Sequence, residues 1–213
     1  MIALHDYWRS SASYRVRIAL AMKGVGYERR PVDLLGGEQA APANVAVNAQ
    51  GFVPTLEIDG LTIGQSLAII DYLDARFPDP ALCPRDPAAR AATLQRALVI
   101  AADIHPVNNL RILKYLTDVI GVTEEQKKAW YDHWIQDGLA AVERLLQAHG
   151  SGPYCFGDAP TLADCCLVPQ VGNAQRMGCD TSAYPRVMAV YEHCQQQPAF
   201  QQAAPAKQPD YSS

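Results

Sequence analysis

The sequence predicts an α/β unit followed by an all-α unit, and three observations carry this. Short strand-like runs alternate with helix-like runs up to about residue 80. Four prolines, Pro78, Pro80, Pro84 and Pro87, then crowd one short segment and read as a linker. Beyond them every periodic stretch has helical spacing. The expected division is a first domain over 1–80 and a helical domain over 88–213.

In the first domain, Ile2 to Leu4 reads as a strand. Arg9-Ser10-Ser11-Ala12-Ser13 follows, leading into a helix expected from about Ser11 to Lys23. Val16, Ala19 and Leu20 fall on one face of it, Ile18 and Met22 on another. Serine is a favoured N-cap, and Gly24 stands where a left-handed C-terminal cap would fall. Tyr27 to Leu34 has weak strand character, and Pro31 suggests an edge. Glu38 to Asn48 is alanine-rich but broken by Pro42, so a short irregular helix is expected. Leu56 and Ile58, then Leu61 and Ile63, alternate with polar neighbours around Asp59-Gly60, a strong two-residue hairpin signal. Gln65-Ser66 is placed to cap a helix over Leu67 to Phe77.

In the second half, Leu94, Leu98, Ala101 and His105 form one stripe before Pro106 bends the helix. The pattern resumes at Leu110, Leu113 and Leu116 and stops at Gly121. Thr123 with Gln126 forms a capping box for a helix through Trp130, Trp134, Leu139, Val142 and Leu146. Gly150-Ser151-Gly152-Pro153 reads as a turn. Thr161 with Asp164 repeats the box, opening a helix to about Met177. A last helix spans roughly Tyr184 to Gln197, and Pro205 to Ser213 is a polar tail.

Totals exclude several classes. The chain of 213 residues is 49% apolar and 19% charged, as in ordinary soluble proteins. A net charge of −4 gives no basic footprint for nucleic acid. No secretory leader and no membrane span are read, so a cytoplasmic protein is expected. The six cysteines are scattered without a C-x-x-C pair, which suits reduced thiols rather than a disulfide framework or a zinc site. No metal spacing is found among the histidines.

The serine turn admits two readings. One is an ordinary capped helix after a strand. The other is an anion site, where first-turn N–H groups, the dipole, the Ser10 and Ser11 hydroxyls and the Arg9 charge suit a thiolate or carboxylate. His105 is either a satisfied core histidine or a ligand contact. Thr161 and Asp164 read as a structural cap, and Trp130 and Trp134 as packing.

Strand, helix, strand, helix, hairpin, helix is the order of a thioredoxin-like unit. A proline opens its third strand, so a cis Val53–Pro54 bond is expected, with the Val53 backbone available to an extended peptide. With a helical domain attached, this is the glutathione transferase architecture. The run Arg9 to Leu20 strongly resembles the zeta-class signature. So do Val53-Pro54-Thr55-Leu56, Gln65-Ser66-Leu67-Ala68-Ile69-Ile70, Thr161-Leu162-Ala163-Asp164 with Leu167-Val168-Pro169-Gln170, and Gln208-Pro209-Asp210.

The resemblance spans essentially the whole chain and implies a glutathione-dependent cis–trans isomerase acting as a cytosolic homodimer. It implies maleylacetoacetate as substrate, in aromatic amino-acid breakdown, or maleylpyruvate. Conjugation of α-haloacids and non-catalytic glutathione binding are the rival activities. By the same resemblance Ser10 and Ser11 stabilise the glutathione thiolate. The Val53 backbone pairs with the cysteinyl part, and Gln65 and Ser66 hold the γ-glutamyl carboxylate. Gln39, His105 and Asn109 line the glutathione and substrate site. Arg9, Arg111 and Arg176 are the candidates for a substrate with two carboxylates, although Arg176 equally suits the negative end of its own helix. The signature usually carries cysteine where this chain has Ala12, which speaks against reactions that need an enzyme thiol there.

Overall fold

A computed structural model describes residues 1–149 and 152–211. Gly150 and Ser151 of the expected turn, and Ser212 and Ser213 of the tail, lie outside the described residues. The chain forms two compact units, Met1–Cys83 with Gln195–Ser213, and Pro84–Cys194. The polar tail thus groups with the first unit, which differs from the expected 88–213 boundary.

In the first unit, β1 (Ala3–Asp6), β2 (Glu28–Pro31), β3 (Thr55–Ile58) and β4 (Leu61–Gly64) form one sheet in the order β2-β1-β3-β4. β1 and β2 run parallel, with α1 (Ser11–Met22) as the crossover, and β3 is antiparallel to both β1 and β4. Pro31 ends an edge strand, where a missing N–H costs no ladder bond. Asp59 and Gly60, at φ 52° and 79°, supply the paired left-handed residues that a two-residue hairpin requires. A 3-10 turn, Glu38–Ala40, precedes α2 (Pro42–Val47), and α3 (Ser66–Arg76) follows the hairpin.

α1 is buried on all sides from Ser13 to Leu20, Arg15 and Arg17 included. This is why its apolar residues occupy more than one face. The C-terminal segment covers part of it. The expected last helix is α8 below, and the chain continues into α9 (Pro198–Ala203) and a 3-10 turn, Pro205–Lys207. A helix of six residues is too short to show a periodic signal. Its carbonyls are satisfied from α1: Tyr14 Oη donates to Phe200 at 3.0 Å and Arg17 Nε donates to Ala203 at 2.9 Å.

The second unit is helical. Asp86 caps α4 (Pro87–Leu98), its carboxylate accepting the Ala89 N–H at 2.8 Å, and Pro87 takes the first-turn position that tolerates it. The helix widens into π turns over Val99–Ile104, where His105 N–H donates to Ile100. The buried face is Thr93, Arg96, Ala97, Ile100 and Ile104, whereas Leu98 is 45% exposed, so the expected stripe is displaced. Arg96 tolerates burial because carbonyls receive it, Ala92 at 2.7 Å and Leu145 at 3.1 Å. α5 (Leu110–Tyr115) also ends in π turns, Leu116–Ile120, stopped by Gly121 at φ 78°.

Both capping boxes form. Thr123 and Gln126 exchange hydrogen bonds of 2.8 and 3.2 Å at the start of α6 (Glu124–His149). Thr161 and Asp164 do the same for α7 (Leu162–Arg176), where the buried Asp164 also receives the Cys155 N–H at 2.8 Å. α8 (Pro185–Gln195) completes the unit. Trp130 and Trp134 pack edge to face, 5.7 Å apart.

Gly138 lies inside α6 because the π segment passes there: a Cβ would fall 2.2 Å from Ile104 Cγ1. Gly138→Ala should gain about 1 kcal/mol of helix propensity and lose about 1–3 kcal/mol by overpacking. The expected net result is a lower urea midpoint; a raised midpoint would show that Ile104 yields freely.

Candidate functional site

On the first unit the site is built from two helix N-termini and a crevice. Ser10 has extended backbone angles and its Oγ accepts the Ser13 N–H at 3.2 Å, making it the N-cap of α1. A hydroxyl has two acceptor sites and one hydrogen. With an acceptor site turned inward to the helix, the hydrogen is what Ser10 offers outward. Ser11 opens the helix beside it and is buried. The Arg9 guanidinium stands over the Trp8 and Tyr7 rings, 5.7 and 6.0 Å from their centroids. No ion pair among the described residues involves Arg9.

The start of α3 repeats the arrangement with one correction. Gln65 does not cap the helix through its side chain. It sits at φ 64°, and its Nε2 donates to Gln50 Oε1 at 2.8 Å. Ser66, the first helical residue, has its Oγ engaged by Arg15 Nη1 at 3.3 Å. Arg15 belongs to α1, so one buried guanidinium ties α1 to the start of α3. Ser66 too is left with a hydrogen to donate.

Val53 precedes the ladder, which begins at Thr55, and the Val53–Pro54 bond is cis as expected. It lines a crevice with Gln39, Asn48, Phe52 and His5. Gln39 Oε1 is buried there without a hydrogen-bond partner among the described residues.

On the second unit, His105 follows the π turns and is half-buried. Asn109 is the N-cap of α5, its Oδ1 accepting the Arg111 N–H at 3.1 Å, and Arg111 is exposed. Arg176 ends α7 and donates to Asn173 Oδ1, while Asn173 Nδ2 donates to Tyr131 Oη at 2.6 Å. Burial pushes the Tyr131 phenol above its ordinary value, so it stays protonated.

Ser10 and Ser11 thus share one helix end, Gln65 and Ser66 a second, and Gln39 and Val53 one crevice. Sequence reasoning missed Arg15, Arg17, Asn173 and Tyr131. For the two arginines the signal was present: they alternate with Val16 and Ile18 in an apolar run, where a charge needs a partner.

Residues 4–81 match the family model described as glutathione S-transferase, N-terminal domain, and residues 128–193 match glutathione S-transferase, C-terminal domain. The chain belongs to the glutathione S-transferase family. A probable maleylacetoacetate isomerase of Vibrio cholerae is 50% identical, over 98% of each chain. The holo structure of a maleyl pyruvate isomerase, a bacterial zeta-class enzyme, superposes with a TM-score of 0.96 at 44% identity, covering 99% of this chain and 100% of that one. The maleylacetoacetate isomerase of Anaeromyxobacter dehalogenans, solved with glutathione in its active site, gives 0.89 at 41% identity, covering 100% and 98%. These likenesses place the chain in the zeta class.

The cap predicts a measurable effect apart from chemistry. Ser10→Ala should cost about 1 kcal/mol of stability through α1 alone, read from urea unfolding without ligand. An unchanged midpoint would mean that Ser10 does not cap in solution.

Proposed function

We propose that the chain is a glutathione-dependent cis–trans isomerase converting maleylacetoacetate to fumarylacetoacetate in aromatic amino-acid catabolism. The observation that carries this is the pair of serines at two helix N-termini, each with its oxygen held by a protein donor. Both hydroxyls are set to donate to anions, and glutathione has two that suit them, a thiolate and a γ-glutamyl carboxylate. The unpartnered Gln39 Oε1 shares a crevice with Val53, whose backbone is the part assigned to the peptide.

Within this reading, Ser10 and Ser11 hold the sulfur in its anionic form. Gln65, Ser66 and the charge of Arg15 hold the carboxylate, and Gln39 and the Val53 backbone hold the peptide. When bound, glutathione supplies the nucleophilic sulfur that makes the cis double bond temporarily single and so free to rotate. The zeta-class resemblance assigns Arg9, Arg111 and Arg176 to the substrate carboxylates, which need fixed positive charge. His105 and Asn109 lie near Arg111 in sequence and are assigned to glutathione and substrate contacts.

A second reading, isomerisation of maleylpyruvate, is favoured by the TM-score of 0.96 to an enzyme of that name. Arg111 serves either substrate. Assaying both cis substrates with the same protein, and comparing kcat/KM, decides between them.

We also infer a cytoplasmic homodimer. The homodimer is carried by the zeta-class resemblance. No helix of the described residues is long and apolar enough to cross a membrane. A monomer by light scattering would remove the dimer.

Ser10→Ala/Ser11→Ala should fold and lose about 100- to 1,000-fold in turnover, the range for one lost donor to a developing anion. Wild-type turnover in the folded double variant would sink the assignment. Activity should need glutathione and survive EDTA. Arg9→Met and Arg176→Met should each raise KM for the dianionic substrate with smaller effects on glutathione affinity. A neutral diester should be nearly indifferent to both changes; equal losses for diester and dianion would make the arginines structural.

A further inference from the structure

The end of the chain is fastened to the turn that carries Arg9 and Ser10. β1 stops at Asp6 and α1 starts at Ser11, so Tyr7 to Ser10 alone place both groups. Arg17 holds the backbone of this turn. Its Nη2 donates to the Trp8 carbonyl at 2.9 Å and its Nη1 to the Tyr7 carbonyl at 3.4 Å. Nη1 also meets Asp6 Oδ1 at 2.7 Å. The second oxygen of Asp6 accepts Arg29 Nε at 2.6 Å, and the two Nη atoms of Arg29 grip both oxygens of Asp210. One residue further, Tyr211 sets its ring edge-on to Trp8 at 5.0 Å, and Trp8 is the ring beneath the Arg9 guanidinium.

The charges alternate along this line: Asp210, Arg29, Asp6, Arg17. Asp6 and Arg17 are buried almost completely, so neither can exchange its partner for water. Arg29 and Asp210 reach solvent in part. Removing the Asp210 carboxylate releases the far side of Arg29, which can then turn outward and leave Asp6 Oδ2 short of a partner. A buried carboxylate in that state draws on its remaining cation, and that cation is the one holding the Tyr7 and Trp8 carbonyls.

We propose that Asp210 and Tyr211 are positioning residues for the site. Asp210 acts through Arg29, Asp6 and Arg17 to fix the turn that aims the Ser10 hydroxyl. Tyr211 acts through Trp8 to fix Arg9. The roles of Ser10 and Arg9 rest on the isomerase reading above.

The test uses the full chain with glutathione and follows the ultraviolet absorbance of the bound thiolate, below the aromatic band, against pH. Asp210→Ala should raise the titration midpoint of the bound thiol by about one unit, the low end of what one lost partner does to a titrating group. It should lower kcat more than it changes glutathione affinity, and Asp210→Glu, which keeps the carboxylate, should restore most of the loss. Tyr211→Ala should leave the thiol midpoint in place and raise KM for the dianionic substrate. If Asp210→Ala does not fold, Asp210→Asn is read by the same midpoint. A folded Asp210 variant that melts earlier but titrates like the wild type overturns the proposal, because the tail then serves stability alone. A wild-type protein that leaves the thiol at its free-solution midpoint overturns the thiolate reading itself, and this inference with it.

Discussion

Two arginines buried in one helix set the terms for the rest of the first unit. Arg15 and Arg17 lie inside α1, which is enclosed on every side. Burial pulls the Arg17 guanidinium below its ordinary value, and Asp6 opposes that shift. It remains a cation at neutral pH, so its partners are compulsory. Leaving such a group alone in the interior costs about 3–5 kcal/mol. The surrounding chain is arranged to avoid that cost. Arg17 collects the Asp6 carboxylate and carbonyls from Tyr7, Trp8 and Ala203, and Arg15 reaches the Ser66 hydroxyl. The start of α3, the turn before α1 and the return of α9 are each tied to one of these donors.

The same bonds prepare the chemistry. A serine hydroxyl in water points where it likes. At Ser10 and Ser66 a protein N–H occupies one acceptor site of the oxygen, and the hydroxyl hydrogen is left to donate. On the proposed reading, what remains at each helix start is a donor for an anion, reinforced by the local dipole. The helix N-terminus then needs no reorganisation when the anion forms, which is the property that makes fixed donors effective.

Legibility in the sequence followed locality. The hairpin at Asp59-Gly60, the two capping boxes and the Ser10 cap were legible because each is decided by a few neighbouring residues. The zeta-class resemblance located Gln39, Val53 and Ser66, and the structure groups Gln39 with Val53 and sets Ser66 beside Arg15. What was not legible depends on distant partners. α1 looked two-faced because its second face is covered by a segment 186 residues later, itself too short for periodicity to find. Gln65 looked like part of a cap, but its backbone lies at positive φ and its amide bonds Gln50. The stripe through Leu98 failed because Thr93 and Arg96 carry the buried face, and Arg96 can do so only through carbonyls that include Leu145. No local rule announces that.

The cysteines explain why such a site borrows its nucleophile. All six are buried thiols. Burial pushes the Cys155 and Cys194 thiols well up, and desolvation together with the neighbouring Asp132 carries Cys179 to about 12. A thiol at that level is almost entirely protonated near neutral pH and is a poor nucleophile. The one position beside the serines where a cysteine would meet the helix N-terminus holds Ala12. On the proposed reading the helix start stabilises a thiolate, and position 12 places no sulfur of the chain's own there. An exogenous thiol gains from this arrangement, since it meets the donors without competition from a resident cysteine. It can also leave again after the substrate's double bond is restored. A mixed disulfide at position 12 cannot form here, so reactions that need an enzyme thiol at that position are closed to this site.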